Sequence, residues 1–150
     1  MSELASNPVL SRFIKPTLDT PFWIDLEWWE RQGLDFDVAL LNHLCPEHRA
    51  AFSGQQLPKT IDWVDPQTGE VKPVPGLRHI IATHCSRQPG YVSSAPTMVE
   101  AIFRVFLQNN NRPLTVRELA AKTGYPARQI LRVLAGRRVR KGIRPYTATR

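Results

Sequence analysis

Cys45-Pro46-Glu47-His48 and His84-Cys85 hold both cysteines and two of the four histidines of this 150-residue chain. A thiolate and an imidazole three residues apart can share one side of a helical turn. A second such pair would complete the two-sulfur, two-nitrogen set that zinc takes tetrahedrally. Cys45, His48, His84 and Cys85 are therefore candidate ligands of a structural zinc ion. Neighbours such as His84 and Cys85 seldom reach the same ion, which makes His79 with Cys85 an alternative second pair. No further Cys-x-x-Cys or Cys-x-x-His is present. On spacing alone the plainer reading weighs more: two small buried hydrophobes among ordinary histidines. A nucleophile pair could be drawn as Cys45 with His84, or Cys85 with His48. The sequence offers neither the electropositive setting nor the oxyanion donors such a pair needs. Asp62 and Asp65 belong more naturally to a turn than to an acid–base pair, and no Gly-rich phosphate loop occurs. The chain reads as a non-enzyme.

The second group of chemically able residues is cationic. Arg128, Gln129 and Arg132 fall on the polar side of an amphipathic stretch. Arginine can offer paired donors to guanine in the major groove and glutamine can do so to adenine, while either can hold a phosphate. Arg137, Arg138, Arg140, Lys141 and Arg144 follow within eight residues, a density that suits salt-sensitive phosphate binding. The net charge of +7 is unevenly divided. Residues 112–150 carry 11 Lys and Arg against one acid, Glu118, whereas residues 1–111 carry 9 against 12 acids. A basic surplus confined to one module marks where a polyanion would dock. Leu131 interrupts the polar face, and could meet a thymine methyl or a protein partner.

Local signals define the elements that must position these arginines. Thr115 and Glu118 form the Thr-x-x-Glu pattern of a capping box, followed by Val116, Leu119 and Ala120 on one helical face. Gly124 ends that helix, Pro126 restarts another at its first turn, and Gly136 closes it after Ile130, Val133 and Leu134. Val139 and Ile143 alternate with the cations around Lys141-Gly142, which predicts two short strands and a turn. The Leu119-Ala120 pair before Gly124, the Tyr125-Pro126 opening and the Ile130/Leu134 packing pair resemble the winged helix-turn-helix superfamily, over about a third of the chain from Pro96. That resemblance implies a second helix that enters the major groove and a hairpin that touches the backbone.

The rest of the chain predicts a support for this module. Residues 1–18 read as an arm with scattered apolar residues. The stretch from Asp19 to Gly33 holds three of the four tryptophans. Phe22, Ile24 and Leu26 alternate with Trp23, Asp25 and Glu27, which suits a short half-buried strand, and a helical turn from Leu26 to Arg31 is the competing reading. The acids of this stretch oppose base stacking, so the tryptophans read as core. Asp35 caps a helix, Pro46 starts another or bends its continuation, and the residues from Ile61 to Val74 form a hairpin whose Pro73 argues for an edge. Leu77, Ile80, Ile81 and His84 mark a helix, Gln88 to Ser94 a loop, and Val99, Ile102, Phe103 and Phe106 a helix buried on more than one side.

The expectation is an α+β, mainly α protein. Residues 1–18 are an arm, 19–94 a Trp-rich helical module with a β-hairpin, and 95–147 a winged helix-turn-helix domain packed on it. The function that follows is non-catalytic binding of double-stranded DNA in transcription regulation, with the N-terminal module mediating homodimerisation or a protein contact. The rival is a scaffold or accessory subunit whose winged helix contacts protein or RNA in a larger assembly. No stretch approaches the roughly 20 apolar residues of a membrane span. The N-terminus lacks a signal-peptide pattern, so the expected location is cytoplasmic, at the nucleoid if DNA is bound, with both thiols reduced.

Overall fold

The computed structural model describes residues 15–52 and 60–147. Most of the expected arm and the Ser53–Gly54 end of the helix after Pro46 lie outside those residues. The fold is α+β, with seven α-helices and two small sheets among the described residues. The chain opens with strand β1 (Pro21–Ile24) and helices α1 (Leu26–Arg31), α2 (Phe36–Leu40) and α3 (Pro46–Ala51). A hairpin of β2 (Thr60–Val64) and β3 (Val71–Pro75) leads into α4 (Gly76–Thr83). Then come α5 (Met98–Gln108), β4 (Leu114–Thr115), α6 (Val116–Thr123), α7 (Ala127–Leu134) and β5 (Ile143–Pro145).

Helix α5 is the centre of the core. Its residues from Ala101 to Leu107 are all buried, and it packs against α4, α6 and β1. Thr97 caps it by accepting from the Glu100 N–H, and Asn110 and Asn111 leave it in left-handed conformations. Asparagine tolerates that region better than most residues. Asp25 and Asp35 cap α1 and α2 in the same manner, each accepting from N–H groups of the first turn.

Strand β1 lies in the middle of a three-stranded sheet of order β4-β1-β5, antiparallel to both neighbours. Phe22 and Ile24 point into the core while Trp23 lies on the other face, its ring edge-on to Tyr146. Asn111 extends the ladder. Its Nδ2 donates to the Ile24 carbonyl and its Oδ1 accepts from the Ile24 N–H, both at 2.8 Å. The modules expected on either side of residue 94 thus share a sheet as well as a core.

The hairpin expected after α7 is correspondingly reduced. Residues 137–140 form no strand, and the turn closes on a single bridge between Arg140 and Ile143. Lys141 and Gly142 both have positive φ, as the favoured two-residue hairpin turn requires. The following strand, β5, pairs with β1 instead. Trp29 explains the grip on this turn: its indole N–H donates to the Lys141 carbonyl at 3.0 Å. A Cβ on Gly142 would lie 2.5 Å from that same nitrogen. Gly142→Ala is therefore expected to cost about 3 kcal/mol or more, from left-handed strain and overpacking together. Gly69→Ala at φ +76 meets nothing within 4 Å, and should cost only about 1–2 kcal/mol. Denaturant unfolding of the two variants measures the difference, and equal losses would remove the role assigned to Trp29.

Trp28, Trp29 and Phe36 meet edge to face, and Phe103 joins them from α5. Trp29 therefore packs as core with Trp28 against it, whereas Trp23 stays on the outer face of β1, and Asp25 is engaged by Arg31 and Arg144. Among the described residues the β2–β3 hairpin pairs only with itself, which agrees with the edge position expected from Pro73 in β3, and it exposes Val64 and Val71. No described helix is long and apolar enough to cross a membrane.

Candidate functional site

Cys45, His48, His84 and Cys85 converge, with one ligand atom from each lying within 4.8 Å of all the others. Cys45 precedes α3 and His48 lies in its first turn, started by Pro46. The three-residue spacing brings Cys45 Sγ to 3.3 Å from His48 Nδ1. His84 ends α4 at φ −129° and ψ −63°, and Cys85 begins a 3-10 turn. That break in helical geometry lets two neighbouring side chains face one point. His84 Nδ1 lies 3.5 Å from Cys45 Sγ, and His48 Nδ1 lies 3.6 Å from Cys85 Sγ. His79, the alternative partner for Cys85, is directed elsewhere, with its ring edge-on to Trp63.

These distances fit a metal. A tetrahedral zinc ion with Zn–S of about 2.3 Å and Zn–N of about 2.0–2.1 Å sets sulfur and nitrogen about 3.5 Å apart. The three Cys–His separations cluster at that value, and the donor set of two thiols and two imidazoles suits the same ion. Both cysteines are unbridged and buried, and the two histidines are half-buried. Glu47 places a carboxylate oxygen 3.7 Å from His84 Nε2, where it can orient the ring while Nδ1 faces the cluster. Burial pushes the Cys85 thiol up to about 12, so an ion held there must displace its proton. The four residues could hold a metal ion.

The cationic residues are divided by the fold. Arg128, Gln129 and Arg132 are exposed on α7, opposite buried Ile130 and Leu134. Their helix follows α6 through a turn at Gly124, which has φ +84°. Both halves of the Thr115–Glu118 capping box are present. Arg137, Arg138 and Arg140 are exposed beyond α7. Lys141 Nζ instead lies 5.4 Å from the centre of the Phe103 ring, and Arg144 donates to Asp25 Oδ2 at 3.1 Å. Those two cations are thus engaged inside the molecule. Leu131 is half-buried and packs on the core, so its presence among the arginines has a structural reason.

One polar network has no signature in the sequence. Arg104 is buried on α5, and its Nε donates to His43 Nδ1 at 3.0 Å. Its Nη1 donates to the Tyr91 carbonyl at 2.9 Å and its Nη2 to the Asn42 carbonyl at 3.2 Å. Burial, and next the charge of Arg104, push the His43 ring down to about 3. A neutral ring can accept at Nδ1, which leaves its Nε2–H buried without a partner among the described residues. The Tyr91 hydroxyl donates to the His43 carbonyl at 2.6 Å. A single charge within the apolar run of α5 is the nearest thing to a signal. Nothing local to Arg104 foretells its partners, which lie up to 62 positions away. Gln108 adds a second tie, donating to the Ser86 carbonyl at 2.8 Å. Residues flanking the Cys/His cluster are thereby anchored to α5.

No protein-family model, curated protein or solved structure matches the chain.

Proposed function

We propose that this protein binds double-stranded DNA as a transcription regulator, with α6 and α7 acting as a helix-turn-helix and α7 as the recognition helix. The observation that carries the reading is the outer face of α7 and its continuation. Arg128, Gln129, Arg132, Arg137, Arg138 and Arg140 are all exposed. None of their side chains makes an ion pair or hydrogen bond to the described residues. Such unspent donors on a rigid helix suit base edges, and those beyond it suit phosphates. In this reading the resemblance to winged helix domains reflects a shared mode of docking, although the wing is a tight turn held by Trp29. Lys141 and Arg144 brace that turn and contribute to the positive field.

The Cys45/His48/His84/Cys85 cluster would hold a structural zinc ion. A zinc ion there supplies a cross-link between the start of α3 and the end of α4. Through the contacts of Arg104 and Gln108, that cross-link would stiffen the N-terminal support on which α5 rests.

Selection from a random duplex pool tests the reading. Enrichment of one motif is the expected outcome, and paired half-sites would identify a dimer. An absence of duplex binding at low salt would exclude DNA as the ligand. The second reading, a subunit that docks protein through its N-terminal module, draws on Leu34 and Val38, which are 50% and 52% exposed.

A further inference from the structure

A cleft of about 610 Å³ opens beside the Cys/His cluster, and its lining includes Asn42, Arg49, Gln88, Ser94, Glu100 and Arg104. Its volume falls within the range of small-molecule sites, roughly 300–1,000 Å³. Two guanidinium groups meet there without a counter-ion. Arg104 is only 8% exposed, and neither it nor Arg49 forms an ion pair among the described residues. The Nη2 atoms of both arginines donate to the same acceptor, the Asn42 carbonyl, each at 3.2 Å. The two nitrogens therefore lie within twice that distance of one another. Like charges so close, one of them withdrawn from water, are costly unless an anion joins them.

The donor inventory leaves room for that anion. Arg104 has five N–H donors. Four are taken, by His43 Nδ1, the Tyr91 and Asn42 carbonyls and the Ser94 hydroxyl. One on Nη2 is left. The Nη2 of Arg49 serves the Asn42 and Leu44 carbonyls, which leaves its Nη1 and Nε without a partner among the described residues. The carboxylate in the cleft, Glu100, accepts from the Thr97 hydroxyl at 3.2 Å and stands beyond ion-pair distance of either arginine.

We propose that this cleft is a binding site for the oxyanion group of a small molecule, a carboxylate or a phosphate, with Arg49 and Arg104 as its charge partners. Arginine pairs match both groups with parallel donors. The Gln88 amide, which gives one N–H to the His84 carbonyl, keeps a second as a neutral donor in the same lining, whereas the Ser94 hydroxyl is spent on the Tyr91 carbonyl. The site stands independently of DNA binding. Because Arg104 belongs to α5, occupancy would be felt by the helix on which α6 packs.

Titration of the full chain with inorganic phosphate and, separately, with malonate tests the proposal, with sodium chloride at matched ionic strength as control. Melting temperature and isothermal heat are the readouts. At least one anion should raise the melting temperature saturably beyond chloride, and the stronger of the two identifies phosphate or carboxylate as the preferred group. Arg49→Gln, at an exposed position, should weaken that binding at least tenfold while the unliganded protein remains folded by circular dichroism. A response no greater than that to chloride would overturn the proposal, as would a saturable response that Arg49→Gln leaves intact.

Discussion

Replacing Cys85 by serine is expected to remove a bound zinc ion and to lower the melting temperature of the zinc-loaded protein by roughly 10 °C. Structural zinc contributes about 10–16 kcal/mol in finger peptides that have no other core. Here Phe22, Ile102, Phe103, Phe106 and Leu119 form a core that needs no ion, so the loss should be smaller. A cross-link of comparable reach, a native disulfide in a small domain, contributes about 2–5 kcal/mol. At about 2–4 °C per kcal/mol for a chain of this size, that range brackets the stated shift. Cys45→Ser should behave alike, because Cys45 Sγ is near both imidazoles. His79→Ala should retain the metal, since its ring packs on Trp63. Elemental analysis gives the stoichiometry, expected at one ion per chain. Cobalt in place of zinc should give the intense visible absorption of a tetrahedral site. Protein prepared with zinc that retains none would exclude the centre.

The second large effect concerns the arginines, where two groups should separate cleanly. Arg128→Ala and Arg132→Ala are each expected to cost about 1–3 kcal/mol of discrimination between the selected site and a mutated one. Their loss removes base-edge donors from a helix whose packing face, Ile130 and Leu134, is untouched. The triple replacement of Arg137, Arg138 and Arg140 by alanine should weaken every duplex alike. Removing one cation from a phosphate lowers the slope of log affinity against log salt by about 0.9, so the triple variant should fall by about 3. Arg144→Ala offers a contrast. Its guanidinium is bonded to Asp25, so the expected effect is a loss of stability with a smaller change in salt slope. Binding measured from 50 to 200 mM salt distinguishes these outcomes. A triple variant with an unchanged slope would move the phosphate contacts to another face.

The Cys/His cluster and the arginine surface are physically joined through α5. Asn42 and His43, just before Cys45, are held by Arg104, while Ser86, just after Cys85, is held by Gln108. Helix α6 packs on α5 in turn. Hydrogen bonds and packed side chains thus run without a break from the cluster to the base of the α6–α7 unit. Arg104 uses three nitrogens at once, Nε and Nη2 on His43 and Asn42 and Nη1 on Tyr91 and Ser94, which ties both segments to α5. The shared sheet adds a second route, since β1 belongs by sequence to the N-terminal part and is held by β4 and β5.

How much of this was readable from sequence follows the range of the forces involved. The capping box at Thr115 and Glu118, the left-handed Gly124, the Asp35 cap and the Lys141-Gly142 turn each depend on neighbours within a few residues. Side-chain size and hydrogen-bonding capacity set them locally, and their positions agree with the expectation. The amphipathic faces of α5 and α7 were likewise legible, because burial repeats with the helical period. Those signals determined that the chain is α+β and mainly α, and that Arg128, Gln129 and Arg132 face outward.

Tertiary structure decided what lies together across long separations. Phe22 pairs with Leu114 on one side and with Pro145 on the other, and no periodicity in the chain could name those partners. The expected wing gave up its own strand pairing because β1, extended by Asn111, offered β5 a ladder while Trp29 held the turn before it. Cys45 and His84 are 39 positions apart and meet only because α3 starts where α4 ends. The change of helical geometry at His84 then turns two adjacent side chains to one point. Arg104 and Arg49 likewise converge on one carbonyl from different elements. Local chemistry therefore determined the elements and their outward-facing arginines, whereas the metal cluster, the sheet and the charged cleft required the packing of the whole chain.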